Sequence, residues 1–115
     1  MPNGTGRRKH ERVKATVLLN LYRPGQYVPL ARACISDISL SGSAIESTVQ
    51  LEKDEGIVLV FTLPNNRQYI LEGMIRWVKR STGTFSYGVE FTRMNFFKKL
   101  KLRYMIPVLA RAGER

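Results

Sequence analysis

Residues 68–91 read QYILEGMIRWVKRSTGTFSYGVEF. Tyr69, Leu71, Gly73, Ile75 and Trp77 alternate with Ile70, Glu72, Met74, Arg76 and Val78. That period of two sends successive side chains to opposite faces of an extended chain. Ser81-Thr82-Gly83 interrupts the alternation and Thr84–Phe91 resumes it. The stretch therefore predicts a long strand over about Gln68–Arg80, a turn, and a last strand.

Working outward, the same signature recurs towards the N-terminus. Val13, Ala15, Val17, Leu19 and Leu21 fall on one face of a first strand. Arg23-Pro24-Gly25-Gln26 is a turn, and a second strand follows over about Val28–Ile38. Ser39-Leu40-Ser41-Gly42 breaks it before a third strand over Ser43–Val49. Lys53-Asp54-Glu55-Gly56 precedes an apolar fourth strand, Ile57–Leu63, and Pro64-Asn65-Asn66-Arg67 connects it to the fifth. Six short strands at regular spacing predict a mainly β protein, a six-stranded antiparallel β-barrel whose closure removes exposed edges.

After Phe91 the texture becomes helical. Phe97, Leu100, Lys101, Tyr104 and Val108 recur at helical spacing, and Asn95 or Thr92 is available as N-cap. A C-terminal α-helix is expected from about Asn95, with this apolar face on the barrel and its basic face outward. Pro107 is expected to kink or end it. Residues 1–10 are polar with two glycines and predict a flexible basic N-terminal arm. The expected organisation is one domain: arm 1–11, barrel 12–92, helix and tail 93–115.

With 115 residues the chain has the length of one domain. Its net charge of +10 is unevenly placed. Residues 1–14 carry +4 and residues 93–115 carry +6, whereas 15–92 balance. A neutral body with two positive ends points to an anionic partner. The basic leader lacks the apolar core of a secretory signal, and no run reaches the ~20 residues of a membrane span. One cysteine, Cys34, allows no internal disulfide and fits a reducing, cytoplasmic setting. His10 is the sole histidine and lies in the arm, so neither a metal cluster nor a rigid catalytic dyad is expected. No phosphate-cradling glycine loop is present. These absences argue for a binding module without a cofactor, not an enzyme.

Two constellations carry chemistry. Arg8-Lys9-His10-Glu11-Arg12 places two guanidiniums four residues apart, with Arg7 beside them. Asp37-Ile38-Ser39-Leu40-Ser41-Gly42 places an acceptor, a hydroxyl and a glycine where the second strand ends. Between them lie the 24 residues from Val13 to Ser36. The pair resembles the Arg-x-x-x-Arg and Asp/Asn-x-Ser-x-x-Gly signatures of the PilZ domain family, receptors for the bacterial second messenger cyclic di-GMP. Gly73–Trp77 and Tyr87–Phe91 are similar to that family's last two strands.

The resemblance implies a ligand site made by Arg7, Arg8, Arg12, Asp37, Ser39 and Gly42. Arginine suits both moieties of such a ligand, forking onto phosphate oxygens and onto the O6/N7 edge of guanine. Asp37 suits the guanine N–H donors, Ser39 adds a hydroxyl, and Gly42 leaves its backbone open to the ligand. Trp77 offers a flat wall for a base, or else a core tryptophan. Ordering Arg7–Arg12 costs about 6–12 kcal/mol at roughly 1–2 per residue, so several arginine contacts must form together. An arm that is loose alone and fixed on ligand is the expected switch.

Two other readings remain. A small basic barrel binding single-stranded nucleic acid would use the helix cations and Phe85 and Tyr87 as stacking platforms. A ligand-free protein–protein adaptor would need none of the signature residues. In the receptor reading the signal leaves through an unidentified downstream protein, or by ligand-dependent dimerisation of a monomer. Control of motility, attachment or exopolysaccharide is what the resemblance implies for the process.

Overall fold

The computed structural model describes residues 13–62 and 66–112. Six strands and one helix follow in order: β1 (Val13–Tyr22), β2 (Ala31–Ile38), β3 (Gly42–Ser47), β4 (Gly56–Thr62), β5 (Gln68–Ser81), β6 (Thr84–Thr92) and α1 (Phe96–Ala112). All strand pairings are antiparallel, and the sheet closes in the order β1-β2-β3-β6-β5-β4. The alternation in the sequence is thus the in–out alternation of a barrel wall.

The inward positions form one apolar core. Leu21, Ile35, Ile45, Leu59, Phe61, Leu71, Ile75 and Tyr87 are fully buried within it. Burial of each such side chain contributes roughly 1.5–3 kcal/mol. Tyr87 reaches the end of the barrel, where its hydroxyl donates to the Val49 carbonyl at 2.6 Å and accepts from the Leu51 amide at 2.8 Å. One side chain therefore pins the segment that follows β3 across the opening.

The strand limits depart from expectation in instructive ways. β2 begins at Ala31, because Val28 and Pro29 stay in the preceding turn, with Val28 exposed. β3 ends at Ser47, so Val49 belongs to the pinned segment. β5 carries a bulge between Ile75 and Trp77. Strict alternation would put Trp77 inward beside Ile75; the extra residue turns it out, 47% exposed.

The helix corrects the expected orientation. Asn95 is its N-cap, with Oδ1 accepting from the Lys98 amide at 2.8 Å. The face against the barrel is Leu102, Ile106 and Leu109, all buried. Phe97, Leu100 and Tyr104 point to solvent instead. Both stripes have helical spacing, so periodicity alone does not choose between them; packing against β1 and the core does. The helix also runs through Pro107 to Ala112. Pro107 is exposed, so the Arg103 carbonyl that it leaves without an intrahelical donor lies on the wet side.

Candidate functional site

Where β2 ends, residues 39–42 form a tight corner. The Ser39 amide donates to the Gly42 carbonyl at 2.8 Å. The Ser39 hydroxyl accepts from the Ser41 amide at 3.2 Å and the Gly42 amide at 3.3 Å, and lies 3.2 Å from the Ser41 hydroxyl. Ser39 is buried, with its hydroxyl turned into the corner it holds together. Such side-chain-to-backbone bonds substitute for the ladder that the chain leaves at this point.

Gly42 is required here for a reason other than turn dihedrals, since it does not adopt a positive φ. A Cβ at this position would overlap the backbone carbonyl of Val89 on β6. The missing side chain lets β3 and β6 approach, and the Phe91 amide donates to the Ser41 carbonyl at 2.9 Å. The corner is thereby fixed to the last strand.

From the corner a row of outward positions crosses four strands. Asp37 stands opposite Ala44, Ala44 opposite Gly88, and Gly88 opposite Trp77. Bulges at Ile35/Asp37 and Ile75/Trp77 deliver the two end residues to this surface. Three inter-strand spacings separate them, roughly 14 Å along the sheet. The middle of the row is nearly bare because its residues are alanine and glycine. The Trp77 indole leans inward over Gly88: a Cβ on residue 88 would coincide with Nε1, Cε2 and Cδ1 of the ring. The result is a shallow shelf with a carboxylate at one end and an aromatic plane at the other.

One edge of the shelf is electrostatically fixed. Arg76 Nε donates to Glu90 Oε1 at 2.6 Å, and its NH1 group donates to Asp54 Oδ1 at 3.2 Å. The Glu90 hydrogen bond is the first cause of the raised Arg76 pKa, with Asp54 adding to it. Glu90 sits opposite both Gly42 and Met74, so this ion triad borders the shelf beside the corner. The guanidinium of Arg76 offsets one of the two carboxylate charges on this edge.

At its Asp37 end the shelf meets β1, where the chain joins the barrel. Val13 pairs with Ile38 and Lys14 with Asp37. Strand pairing thus brings the residue after Arg12 against the start of the Asp37–Gly42 signature, across 24 intervening residues. Arg7, Arg8 and Arg12 themselves lie outside the described residues.

Four of the residues singled out from sequence, Asp37, Ser39, Gly42 and Trp77, therefore gather on one side of the barrel. Ala44, Gly88, Ser41 and Glu90 complete the surface and were not singled out. A glycine inside a strand pattern, as at Gly88, was the one available signal, since it marks a bulge or a close approach. The aromatics of the nucleic-acid reading fare differently. Tyr87 is buried and Phe85 half-buried against it, so Tyr87 offers no face for base stacking.

Comparison with known proteins accords with this geometry. The PilZ domain family profile matches residues 6–105, most of the chain. The chain belongs to the PilZ domain family. Among solved structures, the barrel is similar to the PilZ domain with c-di-GMP of YcgR from Escherichia coli (TM-score 0.74, 13% identity, 92% of this chain and 93% of that one). It is also similar to the inhibitor of motility MotI/DgrA from Bacillus subtilis (TM-score 0.68, 20% identity, 95% and 53%). The MrkH–c-di-GMP complex from K. pneumonia gives TM-score 0.66 at 14% identity, covering 93% and 55%. This PilZ chain thus spans about half the length of the latter two and nearly all of the first. No curated protein matches it by sequence.

Proposed function

We propose that this PilZ domain is a receptor for cyclic di-GMP, acting by binding and not by catalysis. The observation that carries the reading is the register of β1 on β2. It sets Val13 and Lys14, the residues immediately after Arg12, beside Ile38 and Asp37 at the rim of the shelf, which supports a site shared by the two halves of the signature. Structures of relatives that hold c-di-GMP support the ligand class.

In this reading the ligand lies along the shelf. Arg7, Arg8 and Arg12 close over it from the β1 rim, engaging phosphate oxygens and guanine edges as two-pronged donors. Asp37 accepts from a guanine N–H edge. Ser39 and Gly42 act mainly by shaping the corner, given where the hydroxyl points and what Gly42 meets. Trp77 supplies a plane for a base or ribose. The signal then passes to a downstream protein.

Calorimetric titration tests this, with GTP and cyclic di-AMP as controls. Cyclic di-GMP is expected to bind selectively, and Arg8→Ala or Arg12→Ala to abolish binding while the melting midpoint stays put. Tight binding by Arg12→Ala would overturn the proposal. Rising salt is expected to weaken the affinity, because phosphate attraction is screened.

A further inference from the structure

The helix has two apolar faces, one buried against the barrel and one exposed. At 100° per residue, Phe97, Leu100 and Tyr104 lie roughly opposite the buried Leu102, Ile106 and Leu109. Their exposures are 76%, 40% and 67%. Arg103 lies beside this outer stripe on one side and Lys101 on the other, with Lys99 and Lys98 further round towards the buried face. No acidic residue occurs between Phe96 and Ala112. Lys101 reaches over the Tyr69 ring, 5.7 Å from its centroid, while Lys98, Lys99 and Arg103 form no ion pair among the described residues. A helix apolar on opposite sides is normally covered on both.

We propose that this outer face of α1 docks on an anionic lipid bilayer. Charge decides against a second copy of the chain, because two such helices would set cations against cations. Shape decides against a pocketed protein surface: the stripe is a straight ridge with cations along both flanks. That arrangement suits a planar layer with acidic headgroups above and hydrocarbon beneath. Phe97 and Leu100 would enter the boundary, Tyr104 would keep its hydroxyl at the headgroups, and the lysine and arginine stems would snorkel outward. No helix here is long and apolar enough to cross a membrane, so the contact is interfacial.

The test is sedimentation of the full chain with vesicles, either phosphatidylglycerol-rich or pure phosphatidylcholine. Binding is expected only to the anionic vesicles. Leu100→Ser with Tyr104→Ser should weaken it at least tenfold, as should Lys99→Gln with Arg103→Gln. Both pairs are exposed, so unchanged melting curves and unchanged cyclic di-GMP titration should show that the fold and the shelf are intact. That titration separates this proposal from the receptor reading, which stands or falls without it. A chain left in the supernatant with anionic vesicles overturns the proposal, leaving an acidic protein as the occupant. Binding that survives the Leu100/Tyr104 replacement also overturns it, since net charge alone would then account for adsorption.

Discussion

The indole of Trp77 occupies the space that a side chain at residue 88 would need. Gly88 and Trp77 are paired across β6 and β5 at a bulge, so the ring plane is set by what residue 88 lacks. Trp77 is the single tryptophan of the chain, which makes its emission a direct report on the shelf. Gly88→Ala is expected to lift the ring into solvent, shifting emission to the red. If the shelf holds cyclic di-GMP, the same change should weaken binding at least tenfold. An unshifted spectrum would show that the ring is held by something other than the bare backbone.

Gly42→Ala tests a different kind of contact. The added methyl overlaps a main-chain carbonyl, which cannot rotate away as a side chain can. The β3–β6 ladder must open locally, and a cost of about 1–3 kcal/mol is expected, in the range for overpacking. Urea denaturation measures it. A variant as stable as the parent would mean that the corner yields freely.

Tyr87→Phe preserves the ring and removes only the hydroxyl. The Val49 carbonyl loses its donor and the Leu51 amide its acceptor at the barrel end. Burying such unpaired groups costs about 1–3 kcal/mol each, unless water enters. Lower stability is expected, with faster amide exchange at Leu51 as the local signature.

Tyr69 predicts the opposite sign. Its hydroxyl is buried with no hydrogen-bond partner among the described residues. Tyr69→Phe keeps the ring beside Phe61 and beneath Lys101, and is expected to stabilise by on the order of 1 kcal/mol. Burial also pushes the Tyr69 pKa up to about 12, above the ~10 of an unfolded tyrosine. Because the unfolded chain loses its proton first, this contribution is complete below pH ~10 and falls away as pH rises through about 12. Denaturation series at pH 9 and 11 should show a smaller loss for the phenylalanine variant than for the parent.

The six strands and the core were legible because alternation at period two is local. Leu19, Leu21, Ile35, Leu71 and Ile75 announce their faces within a few residues. The orientation of Trp77 was not legible, since a bulge adds one residue without leaving a mark in the pattern. Nor was the packed side of α1, where Leu102-Ile106-Leu109 and Phe97-Leu100-Tyr104 are equally periodic and only the barrel decides. At the candidate site, Asp37, Ser39 and Gly42 were singled out by their resemblance to the family signature, yet the reason for Gly42 lies on a strand nearly fifty residues away. Ala44 and Gly88 carry no chemistry and become visible only as neighbours of Asp37 and Trp77.

The hydrogen bond from the Phe91 amide to the Ser41 carbonyl has a mechanical corollary. Only Thr92 to Asn95 separate that anchor from the first turn of α1. A disturbance of the Ser39–Gly42 corner thus has a lever one bond and four residues long to the helix, with no need to deform the barrel wall between them.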